Sequence, residues 1–233
     1  MPNIVSPEMI TEPNQIAPYI QHTKIGIGTT KEESIRHAEE AAEFGFNAAM
    51  VSGSCVPITA EVLRGTGIEI ASALDFPTTG VMTSRGKAAE AEELVRLGAT
   101  QIDIGVQIGW LKDKEYKKFR DDIAGVVEAG VPIKVMLELP LLSIEERKIA
   151  VELAIEAGAK VLKNASSGAV EKASVESIKF LKELAPEGIQ VKGSGGISTF
   201  EHALELLKAG ASLVGSSNSI AIVSGADNGA KSY

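Results

Sequence analysis

Residues 130–164, GVPIKVMLELPLLSIEERKIAVELAIEAGAKVLKN, contain one complete strand, helix and strand in 35 residues. Gly130 precedes a β-rich run at 133–138, Ser143 with Glu146 forms a capping box that opens an amphipathic helix, and Gly158 suits the left-handed exit from it. A second apolar run follows at 160–164. Two strands joined by a helix of this length are parallel neighbours in one sheet.

The same unit repeats in both directions. Glycines at 45, 67, 98, 130, 158, 188 and 210 mark helix exits, at separations of about 22 to about 32 residues, close to one strand-helix unit each. Strands are expected near 24–29, 47–52, 69–75, 100–106, 133–138, 160–164, 189–193 and 212–216. Two further capping boxes, Thr30 with Glu33 and Ser198 with Glu201, open neighbouring helices. Eight alternating units predict an α/β fold closed as a (β/α)8 TIM barrel. At 233 residues, one domain spanning 1–233 is expected, with residues 1–22 as an N-terminal cover carrying a short helix and 224–233 as a mobile tail of small polar residues.

Composition narrows the function. A net charge of -8 argues against broad nucleic-acid or anionic-membrane binding. An anionic substrate then needs a locally positive pocket. Cys55 is the single cysteine, which excludes an intramolecular disulfide and suits a reducing, cytoplasmic compartment. The N-terminus lacks a basic-then-apolar export pattern, and no apolar run is long enough for a membrane helix.

Strand parity identifies the chemistry. In 100–106, Ile102, Ile104 and Val106 point outward to helices, which turns Gln101, Asp103 and Gly105 inward. In 133–138 the same alternation sends Lys134, Met136 and Glu138 inward; in the next two strands it sends Val161 and Lys163, then Gln190 and Lys192. Barrel interiors are ordinarily filled by branched apolar side chains, so three lysines and two carboxylates on four consecutive strands carry a desolvation cost that packing does not repay. An internal ion pair, such as Lys134 with Glu138 or Asp103, accounts for one of them. Lys163 and Lys192 fall near the C-terminal strand ends, where barrel enzymes build their sites.

A buried lysine beside a second ammonium releases its proton more readily, and the free amine attacks carbonyls to give a Schiff base. Asp103 is placed to move protons during that addition. Residue types alone do not choose between Lys163 and Lys192 as nucleophile. Beside them, Lys192-Gly-Ser-Gly-Gly-Ile-Ser passes from a strand into a helix, and Gly195 and Gly196 let backbone N–H groups approach an anion. Gly215-Ser-Ser-Asn-Ser, with Ser217 and Asn218, follows the last strand, where barrel phosphate sites lie.

With these residues assembled, the chain resembles deoxyribose-phosphate aldolase over nearly its whole length. The resemblance runs through Ile20-Gln-His-Thr, Gln101-Ile-Asp-Ile, Lys134-Val-Met-Leu-Glu, Val161-Leu-Lys-Asn, Val191-Lys-Gly-Ser-Gly-Gly-Ile and Lys231-Ser-Tyr. It implies that Lys163 is the Schiff-base lysine, Lys192 the lysine that perturbs it, and Asp103 the proton-handling aspartate. It also implies that Tyr233 shuttles the acetaldehyde methyl proton, and that Thr23, Ser167, Gly168, Gly195, Gly196, Ser217 and Asn218 bind substrate and phosphate. The implied reaction interconverts 2-deoxyribose 5-phosphate with acetaldehyde and glyceraldehyde 3-phosphate, without cofactor or metal. Its implied partners are these small molecules, with neither nucleic acid nor membrane; a homo-oligomer is compatible with it, although no surface patch is visible in the sequence.

The chain departs from the family pattern at several places. Asp-His-Thr is Gln21-His22-Thr23; Lys-Thr-Ser-Thr-Gly is Lys163-Asn-Ala-Ser-Ser-Gly168; Glu-Thr-Gly is Glu138-Leu139-Pro140; and the paired serines of the last loop are Ser217 and Asn218. These changes keep two other readings open: a Schiff-base aldolase for another, unphosphorylated aldehyde pair, and a sugar-phosphate-binding barrel without turnover. His37 and His202 are expected at the surface, Cys55 packed or in a loop, and His22 on the pocket floor or in a structural role. Three histidines without paired spacing predict no metal site.

Overall fold

The computed structural model describes residues 4–226. Eight parallel strands close into a barrel in chain order: β1 (Ile20–Lys24), β2 (Ala48–Val51), β3 (Glu69–Leu74), β4 (Gln101–Gly105), β5 (Ile133–Met136), β6 (Val161–Lys163), β7 (Gln190–Ser194) and β8 (Leu213–Ser216). The helices are α1 (Lys31–Phe44), α2 (Val56–Val62), α3 (Ser84–Leu97), α4 (Ile108–Lys112), α5 (Tyr116–Val127), α6 (Ile144–Glu156), α7 (Val175–Leu184), α8 (Phe200–Lys208) and α9 (Ser219–Ser224). The expected barrel is the observed one.

Seven strands lie within about a residue or two of their expected positions; β1 does not. It begins at Ile20 rather than residue 24. In 25–29, Ile25 and Ile27 alternate with glycines and imitate a strand, but Gly28 turns left-handed at φ 77° and Ile27 is fully exposed. The polar residues before it are buried: Gln21, His22 and Thr23 face the barrel or α1. The N-terminal cover accordingly ends at Tyr19, and consists of two short 3-10 helices, Pro7–Met9 and Pro13–Tyr19. At the other end, Ser224 closes α9 and Gly225 caps it at φ 64°, so the expected tail begins inside a helix. The rest of that tail, with Tyr233, lies outside the described residues.

Two of the three capping boxes form in both directions, Thr30 with Glu33 and Ser143 with Glu146. The third is displaced: α8 is capped by Thr199, whose hydroxyl accepts from the His202 N–H, and not by Ser198. A one-residue shift between adjacent hydroxyl residues leaves the sequence signal almost unchanged.

Parity divides the molecule into two apolar regions. Ile102, Ile104, Ile133, Val135, Leu162, Val191 and Val214 pack outward against the helices in one continuous core. Inside the barrel, Ala48, Met50 and Ala71 form a separate small cluster on β2 and β3. Small side chains on that wall leave room for the long lysines that enter from β5, β6 and β7.

One buried ion network lies outside the barrel and was not legible in sequence. Lys87 of α3 is fully buried; its Nζ donates to Asp122 at 2.7 Å and to the Gly105 carbonyl at 2.8 Å, and stands 3.1 Å from Asp75. Asp75 adopts φ 54° after β3 and accepts the N–H groups of Gly80, Val81 and Met82. This carboxylate folds the loop that carries Phe76 toward the mouth of the barrel.

Candidate active site

The inward residues meet at one carboxylate. Asp103 on β4 is fully buried; its Oδ1 accepts from Lys134 at 2.7 Å and its Oδ2 from Lys163 at 2.9 Å and Lys192 at 2.7 Å. Strand register produces the convergence, since Asp103 pairs with Lys134 across β4 and β5, and Lys163 with Lys192 across β6 and β7. Directly paired residues on parallel strands point to the same face. The internal ion pair expected for Lys134 therefore exists, but it includes the other two lysines as well.

One carboxylate does not neutralise three ammonium groups in a dry interior. Burial by itself raises the Asp103 carboxyl, yet Lys134, Lys192 and Lys163 together outweigh burial and hold it well below the usual carboxylate range. Burial drives Lys192 well below an ordinary lysine, with Lys163 and Lys134 adding to it and Asp103 opposing. Burial likewise lowers Lys134, against Asp103. The contacts of Lys192 look like a salt bridge, whereas its surroundings favour the neutral amine. Both follow if the cluster is one coupled group holding fewer protons than it has basic sites.

Above the cluster opens a cleft. Lys163 and Lys192 form its floor, and Thr23, Ser167, Gly168, Gly195, Gly196, Ser217 and Asn218 line it with them. The structure thus gathers every proposed site residue in 4–226 except Asp103 at the surface of one cavity, and Asp103 lies directly beneath. Ser216, also lining it, links the end loops by donating to the Ile197 carbonyl at 2.6 Å and accepting from the Asn218 N–H at 2.9 Å. Gly195 has no substitute: at φ 107°, a Cβ there would stand 2.1 Å from the Glu171 carbonyl oxygen. The close approach of the 168–171 loop therefore requires glycine here.

Several lining residues escaped sequence reasoning. Met50, Ile25 and Phe76 supply an apolar wall, and nothing distinguishes an apolar wall residue from core in a sequence. Ser166 and Ser194 also line the cleft, each with a buried hydroxyl unpartnered among the described residues. Asn164, within the altered segment after Lys163, ties β6 to β7 by accepting from the Ser194 N–H at 2.9 Å and donating to its carbonyl at 3.1 Å. Glu138, at φ 50°, accepts the Ser166 N–H at 3.0 Å, and burial raises its carboxyl.

The histidines differ from expectation. His37 is buried, stacks on His22 with ring centroids 3.9 Å apart, and lies 3.0 Å through Nε2 from the His22 carbonyl. His22 Nε2 lies 3.1 Å from Glu40. The three side chains form a group within 4.8 Å, a proximity that residue spacing did not show. The imidazoles are nearly parallel, at 25°, so their in-plane lone pairs do not converge on a point as metal ligation requires; the stack braces β1 on α1. His202 is half-buried, with Nε2 2.8 Å from the Ala173 carbonyl, rather than at the surface. Cys55 is packed in the core.

Burial lowers His22 to about 4 and His37 to about 3. Their folded values lie below the unfolded ones, so the unfolded chain takes up protons first on acidification, and stability falls between about pH 6.5 and about pH 4 for His22 and about pH 3 for His37. From pH 7.5 to pH 5, each histidine is expected to remove roughly 2 kcal/mol. Urea unfolding at the two pH values checks this: His37→Leu should show a shallower loss than wild type, and equal losses would remove the histidines as its cause.

The chain is 37% identical over 218 residues to the deoxyribose-phosphate aldolase of Thermococcus kodakarensis, covering 91% of this chain and 97% of that one. It is 37% identical over 206 residues to the enzyme of the same name from Thermosynechococcus vestitus, covering 88% and 94%. Among solved structures, the tetrameric deoxyribose phosphate aldolase from Aeropyrum pernix superposes with a TM-score of 0.84 at 25% identity, over 93% of each chain. No family model matches the sequence.

Proposed function

Because the chain belongs to the deoxyribose-phosphate aldolase family, we propose that its cleft is a class I aldolase site in which Lys163 forms the Schiff base. The chain cleaves 2-deoxy-D-ribose 5-phosphate reversibly to acetaldehyde and D-glyceraldehyde 3-phosphate. The observation that carries the residue assignment is the sharing of Asp103 Oδ2 by Lys163 and Lys192 on the floor of the cleft.

The geometry supports a sequence of proton movements. Lys163 retains 5% of its surface exposure and Lys192 only 1%, so Lys163 is the amine that a carbonyl carbon in the cleft can reach. As Lys163 Nζ bonds to that carbon, its proton passes by way of Asp103 Oδ2 to Lys192, and the carbonyl oxygen takes up a proton to give the carbinolamine. Loss of water leaves an iminium. The bond between the second and third sugar carbons then breaks, its electrons moving to the iminium as the hydroxyl on the third carbon loses its proton. The enamine is protonated at its terminal carbon and hydrolysed to acetaldehyde. Tyr233, outside the described residues, is proposed as the carrier of that methyl proton on the strength of the family resemblance. The phosphate is proposed to sit at Gly195 and Gly196, with Ser217 and Asn218 beside it and Thr23, Ser167 and Gly168 around the sugar. Such a site suits an anion even in a chain of net charge -8, because the donors are local.

Among the described residues, no helix is long and apolar enough to cross a membrane. By analogy with the tetrameric A. pernix relative, we infer that the chain self-associates, and a cytoplasmic location accords with its single unpaired cysteine.

Borohydride reduction in the presence of acetaldehyde, followed by peptide mass mapping, tests the reading. An ethyl group on Lys163 is expected. A folded protein without any such mark would favour a binding barrel that lacks turnover, and a mark without cleavage of deoxyribose 5-phosphate would favour another aldehyde pair.

A further inference from the structure

Among the described residues, the lysine cluster holds three amines to one carboxylate, and the residue that closes it on its remaining side is a carboxamide. Gln21 on β1 is fully buried. Its Oε1 accepts from Lys192 Nζ at 2.5 Å, while its Nε2 donates to Gln101 Oε1 at 2.6 Å and to Asn47 Oδ1 at 3.1 Å. In this orientation of the amide Lys192 donates to Oε1, as it does to Asp103, while Nε2 donates to the two other amide oxygens.

Other charged groups around the barrel are committed elsewhere. On β1, Lys24 pairs with Glu33 and His22 with Glu40. Glu69 opens β3 at an exposed position and acts on Lys134 only at long range. Asp75 is bound to Lys87, and Glu138 after β5 accepts from Ser166. Neither β2 nor β8 contributes a titratable side chain. Among the described residues, Asp103 is left as the single carboxylate bonded to Lys134, Lys163 and Lys192.

We propose that Gln21 is a positioning residue: it holds Lys192 against Asp103 through an acceptor that brings no charge, and thereby lets the lysine cluster give up a proton at lower pH than a carboxylate at this place would allow. The inference rests on the aldolase reading. A carboxylate at Gln21 would compensate a second ammonium and stabilise one more proton on the coupled group. Carbonyl attack needs an amine that has lost its proton, so that extra proton delays the reaction to higher pH. Removal of the acceptor altogether has a different signature. It frees Lys192 and leaves Gln101 and Asn47 without their donor, but adds no charge.

The test is the pH dependence of kcat/KM for deoxyribose 5-phosphate cleavage, and of borohydride-trapped acetaldehyde adduct, in wild type, Gln21→Glu, Gln21→Asp and Gln21→Leu. Gln21→Glu is expected to move the acid limb up by about one pH unit or more, with Gln21→Asp repeating the charge on a shorter stem should the longer one disturb folding. Gln21→Leu is expected to leave the limb in place and lower the plateau roughly tenfold, the effect of one lost hydrogen bond. A limb that stays put in both acidic variants, or a Leu variant that matches wild type throughout, overturns the proposal. A wild type that forms no adduct at Lys163 overturns the aldolase reading and this inference together. An adduct in wild type with an unmoved limb overturns the inference alone.

Discussion

Lys163→Met is expected to lose roughly 10⁴-fold or more in deoxyribose 5-phosphate cleavage, the scale of removing a covalent nucleophile, without becoming less stable. The second half of this prediction is the more discriminating. Lys163 is one of three lysines bonded to a single carboxylate in the barrel. Methionine keeps most of the volume of the lysine stem and removes an amine whose charge the cluster does not fully balance. A purely structural lysine would instead leave a destabilised protein when removed. Thermal unfolding and turnover, measured on the same preparation, separate the two cases. Retention of activity, with the ethyl mark appearing on Lys192, would reassign the nucleophile to the neighbouring strand.

Asp103→Asn is expected to damage both properties. The buried lysines lose their counter-ion, which for a broken buried pair costs about 3–5 kcal/mol. The cost has a pH sign. Without Asp103, Lys134 and Lys192 in the folded state fall further below their unfolded values, so the unfolded chain binds more protons, and the deficit relative to wild type shrinks as pH rises toward the ordinary lysine range. Turnover should fall by about 10²- to 10⁴-fold, the range for a lost proton-transfer group. Urea unfolding at pH 7 and pH 9.5, together with kcat at each, provides the measurement. Equal stability to wild type at pH 7 would show that the three lysines find their balance elsewhere.

Charged residues on alternate positions of apolar strands made the cluster legible, because packing offers no reason for Asp103, Lys134, Lys163 and Lys192 to point inward. Register then had to supply what parity lacks: which inward residues are neighbours. Lys163 beside Lys192, and Asp103 beside Lys134, are facts of strand pairing. The first strand was misplaced because glycine-spaced isoleucines imitate a strand and a buried Gln21-His22-Thr23 does not. His37 was misjudged for a related reason. Helix α1 is so rich in charge that a polar ring on its buried face looks like one more surface residue, until His22, itself packed on Phe46, is seen stacked against it. Met50 and Phe76 could not be found at all, since an apolar side chain lining a cleft obeys the same pattern as one filling a core.

The loop bearing Phe76 is held by a carboxylate that gathers three backbone N–H groups and is itself seated beside a buried lysine. Ordering such a segment when a substrate arrives would draw on the free energy of binding, since every residue immobilised at that moment weakens affinity. Here the ordering is completed during folding. The Phe76 side of the cleft is consequently a template whose shape exists before any sugar enters, and the free energy of sugar contacts on that side goes undiminished into holding the substrate over the lysines.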